Sequence, residues 1–155
     1  MKAAFFHGLD SNPITEKNIM LREVFSDVYD PAMDYRNNPD IFNIVLEHLK
    51  ENPVDILIGS SMGGYFAYCL STILGTKTML FNPAVHSRPI NPPVQIGDKD
   101  PNHFIILGTK DDVIDPIKTI EFFKGNENVV FVKEEMGHMI DLNIFKKYIS
   151  HFKNL

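Results

Sequence analysis

The stretch Val54-Asp55-Ile56-Leu57-Ile58-Gly59-Ser60-Ser61-Met62-Gly63-Gly64-Tyr65-Phe66 decides the fold. Val54–Ile58 is a short, mostly apolar run, which fits a strand buried on both faces. Met62–Leu74 carries helical spacing. Between them, Gly59-x-Ser61-x-Gly63 spells the nucleophile-elbow pattern in the strand–turn–helix setting that gives it meaning. The chemistry needs small residues there. The serine sits on a sharp, strained turn, so the positions two before and two after it cannot carry bulk. The turn lifts the Ser61 hydroxyl above the carboxyl end of the sheet, where open parallel sheets bind ligands. The free N–H groups of the following helix face a developing anion. Gly59 and Gly64 also bracket a GxxxxG, but Tyr65-Phe66 stand where a phosphate loop needs Lys and Ser/Thr.

Outward from the elbow, strand-like and helix-like segments alternate. Ala3–Phe6, Val54–Ile58, Lys77–Phe81, Phe104–Leu107 and Val129–Val132 read as strands, with a shorter one at Asp27–Tyr29. Ile14–Ser26, Pro39–Glu51, Met62–Leu74, Pro116–Phe123 and Leu142–Lys153 read as helices. In Ile14–Ser26 the expected helical set is Ile19, Met20, Glu23 and Val24; in Pro39–Glu51 it is Ile41, Ile44, Val45, His48 and Leu49. Pro39 and Pro116 fit first-turn positions, and Asp115 fits an N-cap. Such alternation predicts a single α/β domain over residues 1–155, a parallel sheet with helices on both faces. Asn82–Asn102 is the irregular stretch; it holds Pro83, Pro89, Pro92, Pro93 and Pro101.

Composition narrows the classes. The chain has 155 residues, enough for one core, and a net charge of −5 with no Lys/Arg-rich stripe, which argues against nucleic-acid binding. No apolar run reaches spanning length, so no membrane association is expected. The basic, apolar opening Met1–Phe6 is cut by Asp10 and Asn12, too early for a signal peptide. One cysteine, Cys69, excludes an internal disulfide framework and a cysteine zinc cluster. The expected address is the cytoplasm. No His/Asp/Glu cluster has ligand spacing, so neither metal nor cofactor is expected.

A serine hydroxyl needs a base, and the base an orienting acid. With an elbow serine, acid and histidine follow in that order. Past the strand Phe104–Leu107 comes Gly108-Thr109-Lys110-Asp111-Asp112-Val113-Ile114-Asp115; past Val129–Val132 comes Glu134-Glu135-Met136-Gly137-His138. His138 is the candidate base. His48 and His151 lie within helices, and His86 and His103 flank the Pro-rich stretch. Asp111 is the candidate acid, in competition with Asp112 and Asp115. The two backbone donors of an oxyanion hole fall to Met62 and to Leu9, in the loop His7-Gly8-Leu9-Asp10-Ser11. Gly8 allows that loop a close approach, and His7 serves to hold it. Pocket walls are expected from Leu9, Met62, the Pro-rich stretch and Met136 or Met139. Glu134 and Glu135 would raise the His138 pKa if close. Cys69 reads as packing on the helix after the elbow.

Together, His7-Gly8, Gly59-x-Ser61-x-Gly63, Asp111 and Gly137-His138 resemble an α/β-hydrolase, and more closely the small bacterial YqiA-like esterases of the UPF0227 group. His7–Pro13 resembles that group's HGFxSSP-type start, Gly59–Tyr65 its GSSLGGY elbow, Asn82–Val85 its NPAV, and Asp111–Asp115 its DEVLD stretch. The resemblance implies a sheet trimmed of the fold's first two strands, about six mostly parallel strands in the family's order 4-3-5-6-7-8, with no cap domain. It implies a cofactor-free hydrolase of small carboxylic esters or thioesters, with Ser61 as nucleophile, His138 as base and Asp111 as its orienter. The segment after Val85 is shorter than the family's usual insertion. Two alternatives stand beside this reading. One is a non-catalytic binding protein on the same scaffold; the other is an acyltransferase or C–C hydrolase using the same residues. The oligomeric state is not written in the sequence.

Overall fold

A computed structural model describes residues 1–152. The elements are β1 (Lys2–Phe6), α1 (Glu16–Val24), β2 (Asp27–Tyr29), α2 (Ile41–Glu51), β3 (Ile56–Ser60), α3 (Met62–Leu74), β4 (Thr78–Phe81), β5 (His103–Gly108), α4 (Pro116–Phe122), β6 (Val129–Glu134) and α5 (Leu142–His151). The six strands form one sheet in the order β2-β1-β3-β4-β5-β6, and every pairing is parallel. This is the order expected from the resemblance, with no antiparallel strand among the described residues. The terminal helix was expected to reach Lys153, which lies outside the described residues.

Strand alternation sorts the core into two halves. Ala4, Phe6, Leu57, Leu80, Ile105 and Leu107 face one cluster, covered by α2 and α3. Ala3, Phe5, Ile56, Ile58, Met79, Phe81 and Ile106 face the other, under α1 and α5. Strands buried on both faces explain the unbroken apolar runs. Hydrophobic burial at roughly 25 cal/mol per Å² then acts on both sides of the same strand.

Some local expectations shift. Helix α2 starts at Ile41 with Asp40 as its N-cap, so Pro39 precedes the helix instead of opening it. In α1 the buried residues are Asn18 and Leu21, while Ile19 is exposed. The Asn18 amide accepts from the Thr15 N–H at 2.8 Å and donates to Asp30 at 2.7 Å, so a polar contact between α1 and the end of β2 fixes the helix rotation. In α2, Ile44 is likewise exposed, and Phe42 and Leu46 join Ile41, Val45 and Leu49 inside. His48 stacks on Tyr29 with ring centroids 4.0 Å apart.

The β4–β5 crossover contains no helix. Residues 82–102 run as coil, yet they are pinned. Arg88 lies 3.8 Å over the Tyr65 ring and donates to the carbonyls of Ala84 and Val85 at 2.8 and 3.0 Å. Farther on, the Gly97 N–H donates to Thr72 Oγ1 at 2.8 Å and the Lys99 N–H to the Thr72 carbonyl at 2.9 Å. A Cβ on Gly97 would meet that carbonyl oxygen at 2.3 Å, so glycine is what lets the coil lie against α3.

Candidate active site

Strand β3 delivers Ser60 to the turn, and Ser61 follows with φ 54° and ψ −116°. That left-handed φ is costly for a residue with a Cβ, so the surroundings must impose it. The Ser61 N–H donates to the Phe81 carbonyl at 3.0 Å; the Ser61 carbonyl accepts from Tyr65 and Ala84 N–H at 3.1 and 3.0 Å. The flanking glycines are sterically required. A Cβ on Gly59 would meet the Gly63 carbonyl oxygen at 2.2 Å, and one on Gly63 the Phe6 carbonyl oxygen at 1.9 Å.

Three side chains from three strand ends meet above this turn. Ser61 Oγ lies 2.9 Å from His138 Nε2, and His138 Nδ1 lies 2.9 Å from Asp111 Oδ2. The other Asp111 oxygen accepts the Val113 and Ile114 N–H groups at 2.9 and 2.8 Å. A carboxylate fixed by two amides and facing Nδ1 favours the tautomer with its proton there, which leaves Nε2 free to accept from the serine. The Asp111 side chain is 1% exposed and that of His138 22%, so the acid is sealed while the base reaches the cavity. Asp112 is exposed. Asp115 caps α4 by accepting the Ile117 N–H at 2.9 Å. Of the three aspartates, the structure brings Asp111 to His138. Glu134 is engaged by Lys147 at 2.6 Å and by the Tyr148 hydroxyl, and Glu135 by Lys110 at 2.7 Å. Their carboxylates thus have partners other than the imidazole.

The loop after β1 supplies the opposite wall. His7 Nε2 accepts the Met33 N–H at 2.8 Å, which requires the proton on Nδ1; Nδ1 then donates to the Gly8 carbonyl at 2.7 Å. The Tyr35 hydroxyl donates to the His7 carbonyl at 2.6 Å. Burial pushes the Tyr35 phenol well above its ordinary pKa, which keeps it a donor. Asp10 takes the left-handed conformation at φ 57° and is gripped by the Arg36 guanidinium through two 2.8 Å bonds. A Cβ on Gly8 would lie 3.7 Å from Ser61 Cβ and 3.2 Å from Ser11 Oγ, so the loop approaches the serine closely. Met33, Tyr35 and Arg36 were not found by the sequence reading, because residues 30–36 carry no motif of their own.

Asn82 was also missed as a site residue. It is buried with φ 42°. Its Oδ1 accepts the Gly108 N–H at 2.7 Å, and its Nδ2 donates to the carbonyls of Gly137 and His138 at 3.2 and 3.0 Å. One amide therefore ties the loop bearing His138 to the end of β5.

A cavity of about 300 Å³ opens beside Ser61. Leu9, Met62, Ala84, Pro89, Val113 and Met139 give it apolar walls. Met139 lines it, whereas Met136 is buried in the core beneath. Lys17, Ser11 and Ser87 add polar groups. Cys69 lies buried on α3, its thiol pushed up to about 12 by burial, which leaves it inert near neutrality. Among the described residues no group of three His, Cys, Asp or Glu side chains converges as metal ligands, and no helix is long and apolar enough to cross a membrane.

A parallel sheet in this strand order, with a strained serine between β3 and α3, defines the α/β-hydrolase fold. The sequence model of the uncharacterised protein family UPF0227 matches residues 2–92, and the chain belongs to that family. Among solved structures it is similar to an alpha/beta-hydrolase superfamily protein of Xanthomonas campestris pv. campestris, at 19% identity and TM-score 0.76, covering 99% of this chain and 96% of that one. It is similar to Est1E from Butyrivibrio proteoclasticus, at 12% identity and TM-score 0.69, covering 97% and 86%. It is also similar to substrate-bound FphF, a fluorophosphonate-binding serine hydrolase of Staphylococcus aureus, at 15% identity and TM-score 0.69, covering 99% and 82%. No curated protein matches the sequence significantly.

Proposed function

We propose that the protein is a serine esterase that cleaves small carboxylic esters or thioesters without a cofactor. The observation that carries this reading is the Ser61–His138–Asp111 chain of two 2.9 Å hydrogen bonds, with Ser61 and His138 lining the 300 Å³ cavity. Esterases and serine hydrolases among the similar folds support it. In this reading, Ser61 Oγ attacks the ester carbonyl carbon as its proton passes to His138 Nε2, and the negative charge of Asp111 stabilises the imidazolium. The charge on the carbonyl oxygen is met by the N–H groups of Leu9 and Met62. The tetrahedral intermediate expels the alcohol or thiol, which takes the proton from Nε2. Water then adds to the acyl-enzyme with Nε2 again as base, releasing the carboxylic acid and restoring the serine. The small cavity suits short acyl groups, and a single cysteine supports a cytoplasmic address.

The test is intact mass after reaction with a fluorophosphonate, on wild type and Ser61→Ala. One adduct on wild type and none on the variant is expected, with ester turnover lower in the variant by about 10⁴-fold or more. Folded wild type that takes no adduct would overturn the assignment in favour of a binding role on this scaffold.

A further inference from the structure

Lys17 lines the same cavity as Ser61 and His138, and no Asp or Glu shares that wall. It lies in the first turn of α1, where the helix dipole disfavours a cation. The residue is partly buried, and loss of water around its ammonium holds its pKa below the usual lysine range. Among the described residues it forms no ion pair; Arg22, Arg36, Lys50, Lys110 and Lys147 all do. Its Nζ lies 6.0 Å from the centre of the Phe145 ring. A lysine stem is long enough to carry its charge out to water when nothing holds it in. Here a cation sits at the wrong end of a helix, partly desolvated and without a counter-ion, in a chain of net charge −5. Among the described residues no anionic group pairs with it to compensate for that arrangement. An anion brought in by a ligand would.

We propose that Lys17 is an anion-recognition residue and that the ester cleaved here carries a carboxylate, seated against Lys17 while its carbonyl lies at Ser61. This deepens the esterase reading and rests on it. The hydroxyls of Ser11 and Ser87, which line the same cavity, are available to bond the bound carboxylate. The class is thus half-esters of dicarboxylic acids, or esters of hydroxy acids. The two differ in whether the carboxylate stays with the acyl-enzyme or leaves with the alcohol.

Two matched pairs of esters separate these cases. Mono(4-nitrophenyl) glutarate against 4-nitrophenyl pentanoate places the charge on the acyl side. 4-Carboxyphenyl acetate against phenyl acetate places it on the leaving side. Wild type is expected to favour the anionic member of one pair by about tenfold or more in kcat/KM, equivalent to about 1.4 kcal/mol. The preference should shrink with added salt. Lys17→Met and Lys17→Gln should bring the ratio to within about twofold, chiefly through KM, and Lys17→Arg should retain it. Lys146→Met, which removes an exposed charge on α5 outside the cavity, should leave the ratio unchanged. A second measurement does not need turnover. In Ser61→Ala, chemical-shift titration should find monomethyl glutarate binding more tightly than dimethyl glutarate, and Lys17→Met in that background should abolish the difference. Absent fluorophosphonate labelling would sink the nucleophile assignment alone, while the titration would still decide the role of Lys17. Equal kcat/KM within both pairs, or a binding difference that survives Lys17→Met, overturns the proposal.

Discussion

Asn82 bonds at four points, and they join three strand ends. Its N–H donates to Ile106, its Oδ1 accepts from Gly108, and its Nδ2 donates to Gly137 and His138. Its left-handed φ of 42° is one that Asn tolerates better than most residues. An amide fits because it offers an acceptor and two donor hydrogens on one rigid plane; a carboxylate would aim a lone pair at two carbonyls. Replacement by Ala is expected to lower kcat by about 10- to 100-fold with little change in KM, since His138 loses its backbone restraint. It should also cost about 1–3 kcal/mol for the Gly108 N–H left unpaired in the interior. Steady-state kinetics beside urea unfolding checks this. Lost stability with unaltered kcat would reduce Asn82 to a structural staple. The sequence shows why Asn82 was harder to read than Ser61. A serine between spaced glycines announces itself locally. An asparagine that serves the carbonyls of residues 137 and 138 is defined only once β4, β5 and β6 lie side by side.

At the level of elements, the glycines of the elbow answer a packing problem. Helix α3 lies so close to β1 that Gly63 touches the Phe6 carbonyl. Gly63→Ala is therefore expected to destabilise the fold by about 1–3 kcal/mol or more through overpacking against backbone that cannot move aside. Gly137→Ala, beside His138, is the informative counterpart. There a Cβ would come no nearer than 3.8 Å, to the Lys110 carbonyl oxygen, an ordinary contact, so the melting temperature should hold. Chemical denaturation of both variants measures the contrast; equal losses would mean that the approach to the Phe6 carbonyl is not what requires glycine at position 63. Most elements were legible because strands buried on both faces leave unbroken apolar runs, and even the three-residue β2 falls at Asp27–Tyr29. What misled was rotation and entry. Ile19 fitted a helical stripe, but Asn18 is bound to Asp30 and turns Ile19 outward. Pro39 suited a first turn, yet α2 begins two residues later, after the Asp40 N-cap.

Across the whole molecule, the carboxyl ends of the strands carry the proposed catalytic residues, while the amino end of β5 carries His103, a group bearing on stability. His103 is 2% exposed and lies near the Tyr68 and Phe123 rings, with centroids 5.4 and 5.9 Å away. Its Nδ1 is 2.9 Å from Thr78 Oγ1, and its Nε2 is 3.9 Å from Asp100. Burial lowers its pKa, and the opposing pull of Asp100 is the smaller effect. The folded state therefore disfavours the imidazolium, whereas the unfolded chain protonates near pH 6.5. Between that pH and the lower folded value, the unfolded state binds more protons, so stability falls as pH falls. Above about pH 7 this contribution is complete and flat. The slope it adds is at most about 1.4 kcal/mol per pH unit, the linkage limit for one proton. A second loss belongs to a more acidic window. Asp30 is held below the ordinary carboxylate value because the bonds from Arg22 and Asn18 outweigh its desolvation, so its share disappears as pH drops below about 4. Urea unfolding at intervals from pH 8 to pH 5 should show the first decline in wild type and a markedly shallower one in His103→Gln. If both proteins lose stability in parallel over that range, His103 is not the group that titrates. Because His103 lies at the opposite strand ends from Ser61, the substitution should leave fluorophosphonate labelling at pH 8 intact, separating the proton that governs folding from those of the proposed catalysis.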